Sequence, residues 1–97
     1  MTDDEYIQIQ KDFCLIGKDL EEFCNNLVSV QDRNISEAVK AKLIFDDAEK
    51  LVNETKPKIE ALLNKGTPYP LSTILSATYA RLCDIEIMHA MIKKELQ

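Results

Sequence analysis

Apolar residues recur along this chain at alternating intervals of three and four, in three separate runs. The first run is Tyr6, Ile9, Phe13, Ile16, Leu20, Phe23, Leu27 and Val30. That spacing places every member on one stripe of an α-helix, and the stripe needs a neighbour to bury it. It predicts a helix from about Thr2 to Val30. Thr2 and Glu5 have the Thr-x-x-Glu spacing of a capping box, and the acidic first turn suits the positive end of the helix dipole. Gly17, Cys14 and Cys24 flank the stripe, small enough to let another helix come close.

A polar turn, Gln31 to Asn34, precedes the second run: Ala38, Ala41, Phe45, Ala48, Val52, Thr55, Ile59 and Leu62. Asn34 and Glu37 repeat the capping spacing. Pro57 interrupts the backbone of this run but not its phase. A proline inside a helix removes a hydrogen bond and collides with the preceding turn. The unbroken phase favours one kinked helix reaching about Asn64 over a separate helix capped by Thr55. Gly66 then suits a left-handed position past a helix end, and Pro70 the first turn of the next helix. The third run is Leu71, Leu75, Thr78, Leu82, Ile85, His89, Ile92 and Leu96, with Lys93 and Lys94 in the last turn, where cations are favoured. Short connections make neighbouring helices antiparallel. The expectation is one all-α domain over residues 1–97, an antiparallel bundle of three long helices. A break near Pro57 or Asp84 would make the count four.

Composition narrows the function more than the fold. With 97 residues there is room for one core, and 45% apolar content is ordinary for a folded domain. Aromatics are only 6%, so that core is aliphatic. The net charge of −5 is spread along the chain, which disfavours nucleic acid and anionic membrane surfaces. No run approaches a membrane span, and the acidic start does not resemble a signal peptide. Three cysteines without a CxxC fit free, buried thiols in a reducing compartment, so a cytoplasmic location is expected.

Chemistry-bearing patterns are sparse. No phosphate-binding loop, nucleophile elbow, HExxH or EF-hand pattern occurs. The single histidine, His89, lies in the third stripe near the level of Phe23 and Cys24. It is read as a core residue hydrogen-bonded to a neighbour. Glu86 and His89 form one Glu-x-x-His pair, but a di-iron bundle needs two. Neither an enzyme nor a cofactor nor a metal site is expected.

The third helix is more distinctive. Between Leu71 and Leu82 its only charge is Arg81. Beyond the core stripe, Ala77, Ala80, Ile87 and Met91 follow one another on a second face, interrupted by Asp84. Two apolar faces mean a helix covered on both sides. The bundle could pack asymmetrically around a central third helix. Otherwise the face meets a protein partner or pairs two copies as a homodimer.

The turn Gly66-Thr67-Pro68-Tyr69-Pro70-Leu71, followed by Ser72-Thr73-Ile74-Leu75, resembles a segment of the immunity proteins against pediocin-like bacteriocins. The resemblance covers about a tenth of the chain. It implies a cytosolic four-helix protein that protects the toxin's producer by engaging a mannose permease once the bacteriocin has bound. Specificity would lie in the C-terminal half, which makes Thr67, Tyr69, Ala77, Ala80, Asp84, Ile87 and Met91 the candidate partner-binding residues. This chain departs from that pattern in its long first and second helices and its three cysteines. An adaptor or structural subunit, docked permanently through the third helix, is the competing expectation.

Overall fold

A computed structural model describes residues 1–96. The three apolar runs become three rods, of which the second is bent. Helix α1 spans Asp3–Gln31. The middle rod comprises α2 (Glu37–Lys50), a π-helical turn (Leu51–Thr55) and α3 (Lys56–Asn64). Helix α4 spans Leu71–Leu96 and runs unbroken through Asp84. The assembly measures 51 × 23 × 18 Å, and no strand occurs among the described residues.

The caps explain where the rods begin. The Thr2 hydroxyl accepts the Glu5 N–H at 3.2 Å, the capping leg of the expected box, while the Glu5 carboxylate accepts from the Thr2 hydroxyl at 3.1 Å rather than from the Thr2 backbone N–H. At the other end, the Lys40 ammonium donates to the Gln31 carbonyl at 3.0 Å, placing a cation at the negative end of α1. The second cap departs from expectation. Ser36, not Asn34, accepts the Val39 N–H, at 3.3 Å. The chain needs Asn34 and Ile35 to complete its reversal, so the first residue able to cap lies two positions later.

The middle rod stays continuous past Pro57, as expected, but its phase slips at the bend, so that Leu51 rather than Val52 is buried, and the bend has a specific form. The Lys56 N–H bonds to the Leu51 carbonyl five residues back, the signature of a π turn. Pro57 has no N–H and its ring would strike the carbonyl four residues earlier. Widening the turn just before it relieves that collision. Leu51 and Thr55 stay buried through the turn, and the Thr55 hydroxyl donates to Asp19 of α1 at 3.0 Å.

The second reversal is tight. Gly66 adopts φ +70°, a backbone conformation that favours glycine. Thr67 is buried and its hydroxyl donates to the Leu62 carbonyl at 3.1 Å, satisfying an orphan acceptor at the end of α3. The Tyr69–Pro70 peptide is cis, and the Pro68 and Pro70 carbonyls accept the first N–H groups of α4.

The core is aliphatic, as expected, with Ile9, Ile16, Ala48, Ile59, Leu75 and Leu82 almost wholly enclosed. The middle rod is the shared element: α1 and α4 both pack chiefly along it, and the buried stripes of all three rods meet in one core. The third helix is therefore not the central one, and the asymmetric packing that would have covered its second face is absent. Ala38 and Leu96, at the ends of their stripes, are exposed. The cysteines also differ from expectation. All three are free, but Cys14 and Cys24 are exposed and Cys83 is half-buried. Cys14 and Cys24 each follow a stripe residue, Phe13 and Phe23, and one step along a helix turns a side chain about 100° away from the core.

Replacing Ile59 with alanine is expected to cost about 2–5 kcal/mol in urea unfolding, the usual range for truncating an enclosed aliphatic residue. Thr55→Val keeps the shape but removes the bond to Asp19, and about 1–2 kcal/mol is expected there.

Candidate functional site

The second face of α4 lies open. Ala77, Ala80 and Asp84 are exposed, and Ile87 and Met91 expose 60% and 63% of their surface. Ile74, half exposed at 48%, borders the same face near its start, and Arg81 borders it at mid-length. These side chains are displayed because α4 buries only the opposite stripe, through Leu71, Leu75 and Leu82, against the middle rod. Isolated exposed aliphatics are commonplace, whereas a run of them along one helix face marks an interaction surface.

The turn contributes one residue of the two expected from it. Tyr69 is 81% exposed and stands just before the first turn of α4. Thr67 does not join it, because its side chain is buried and committed to the Leu62 carbonyl. Thr67 shapes the turn that presents Tyr69 and offers nothing to a partner. Ile74 and Arg81 were missing from the expected set although both are exposed along the border of that face. Their signal in the sequence was helical angle alone, since neither falls on the three-and-four alternation.

A polar seam ties α4 to the middle rod beside this face. The Lys56 ammonium donates to both carboxylate oxygens of Glu86, at 3.2 and 3.1 Å, lies 3.7 Å from Glu60 and sits 5.6 Å from the centre of the Tyr79 ring. The hydrogen bond to Glu86 holds the Lys56 ammonium above its ordinary value of 10.5. Glu86 is thus a bonded partner of Lys56 that ties α4 to the middle rod. His89 stacks on Phe45 at 4.4 Å between ring centres, with 13° between the planes. Its Nε2 lies 3.8 Å from Glu49 and has no hydrogen-bond partner, contrary to the neighbour bond expected. Its ring meets Phe45 of the middle rod rather than α1. No cluster of three or more metal-ligating side chains occurs among the described residues.

A groove of about 320 Å³ runs between α1 and α3, floored by Leu15, Ile16, Ala61 and Leu62 and edged by Asp12, Lys58 and Lys65. A smaller depression beside the π turn is lined by Asp19, Glu22, Asp47 and Lys50, among others. In the second, the Thr55 hydroxyl donates to the Asp19 carboxylate, a bond buried between α1 and the middle rod that leaves Thr55 almost inaccessible. Compared with known proteins, the chain matches no family model, no curated protein and no solved structure. Its functional reading therefore rests on its own surface.

The Lys56–Glu86 pair should leave a pH signature. A raised lysine value means the folded state holds its proton more tightly than the unfolded state. That stabilisation is fully present below 10.5 and is lost as pH rises through the higher folded-state value. Lys56→Gln should thus lower Tm by a constant amount around neutral pH, with the gap to the unaltered protein narrowing only above 10.5. Thermal melts followed by circular dichroism across that range would check it.

Proposed function

We propose that this chain is a non-enzymatic, cytoplasmic binding protein of the bacteriocin-immunity kind, which engages a toxin-bound membrane permease through the outer face of α4. The observation that carries the reading is the exposed run of Ala77, Ala80, Ile87 and Met91, approached at its N-terminal end by the exposed Tyr69. A permease helix or loop edge offers apolar side chains suited to such a face, and the surrounding polar residues keep the free domain dissolved. Two further features support it. No helix of the described residues is long and apolar enough to cross a membrane, so the chain would meet a permease from outside the bilayer. The Gly-Thr-x-x-Pro-Leu turn that resembles the immunity family lies immediately before the face.

The same exposed face also supports a second reading, a helical adaptor held permanently in a larger assembly. The two differ in when the partner is bound. The test is recovery of the tagged protein from detergent-solubilised cells, with and without bacteriocin, alongside the Ile87→Asp/Met91→Asp variant. Both substituted residues are exposed, so the variant should fold normally. A permease recovered only after toxin treatment, and lost in the variant, is the expected result. A stable complex recovered without treatment would instead make the chain an adaptor subunit.

A further inference from the structure

We infer that the outer face of α4 also pairs with a second copy of itself, antiparallel, in the protein free of any target. This goes beyond the proposed target and does not depend on it. The argument comes from the order of residues along the face. Taken at alternating steps of four and three, the exposed positions are Thr73, Ala77, Ala80, Asp84, Ile87 and Met91. The first half of this row is small and the second half is large, with the charge between them. Two such rows laid parallel would leave Ala against Ala at one end and force Ile87 and Met91 against their copies at the other. Laid antiparallel, they interlock: Thr73 meets the second copy's Met91, Ala77 its Ile87 and Ala80 its Asp84, with a two-fold axis between Ala80 and Asp84 on the outer face. Small against large then keeps the helix separation even over about 27 Å, at 1.5 Å per residue.

Charge points to the same arrangement. Arg81 flanks the row, turned about 100° from Ala80, and in this register its long side chain spans the edge of the seam to Asp84 of the second copy; symmetry makes the pair twice. In the free chain both residues are exposed, and among the described residues neither belongs to an ion pair. They stand on the helix face as a donor and an acceptor waiting for the opposite sign. Charges placed this way at the centre of a helical seam select orientation and register more than they add affinity. A contact made by a single helix is small for a specific interface, so the dimer is weak and reversible.

Sedimentation equilibrium over a concentration series tests the inference on three proteins: the unaltered chain, Arg81→Asp, and Arg81→Asp/Asp84→Arg. Circular dichroism would confirm that all three fold, as expected for substitutions at exposed positions. The expected result is a concentration-dependent dimer, weakened by about tenfold or more in Arg81→Asp, where four carboxylates crowd the axis, and restored in the double reversal. A monomer at every concentration would overturn the inference. So would a dimer indifferent to Arg81→Asp, or one that the double reversal fails to restore. None of these outcomes bears on permease capture, so the two proposals fail separately.

Discussion

One stripe of the middle rod has to serve two neighbours. Phe45, Ala48, Leu51, Thr55, Ile59 and Leu62 are all buried there, between α1 on one side and α4 on the other. Each depends chiefly on this rod for its burial. Ala48 is completely enclosed and has almost no side chain, which lets both outer helices approach at mid-length. The bend at the π turn belongs to the same constraint. It accommodates Pro57 while keeping Leu51, Thr55 and Ile59 directed inward, so the stripe stays continuous where an abrupt proline break would have divided it.

That division of labour fixes what is left over. An outer helix with one neighbour needs one apolar stripe, and α1 fits this closely. Its eight stripe positions are buried or half-buried, and its remaining surface is polar except at the scattered positions Ile7, Cys14, Leu15, Cys24 and Val28. Helix α4 has the same main neighbour but carries apolar residues on both sides. Its surplus, from Ile74 to Met91, contributes nothing to the core. Such residues weaken solubility and add no stability, so their persistence over five turns is best understood as function. The polar seam through Lys56 and Glu86 then fixes how α4 is rotated on the rod, and hence which residues its outer face displays.

The rods were legible in the sequence because three-and-four spacing is a direct image of helical geometry, and the Thr2 cap and Gly66 turn are written locally. The second face of α4 was legible for the same reason. What could not be read depended on tertiary placement. Which rod lies in the middle follows from how three stripes share one core, and each stripe looks alike in isolation. Ser36 displaced Asn34 because the length of the reversal decides which residue is positioned to cap. Thr67 sat inside the motif that suggested binding, yet its hydroxyl had to satisfy the Leu62 carbonyl at a buried helix end. Cys14 and Cys24 were assigned to the interior by residue type, whereas a single step of helical rotation sets them outside.

Self-pairing and target binding would draw on one surface, and this has a thermodynamic consequence. A second copy seated on α4 covers Ile87 and Met91, so the target must compete with it. By linkage, the apparent affinity for a target is reduced by the fraction of chains whose face is already occupied. A weak dimer imposes little of this reduction at low concentration and more as the protein accumulates. It also shields the apolar face from unspecific contacts while no target is present. The small-to-large order of the row favours a matching antiparallel copy, whereas a target need only present apolar side chains along one side. Arg81 and Asp84 therefore separate the two uses. They set the register of a self-pair, whereas Ile87 and Met91 provide the apolar area that both partners need.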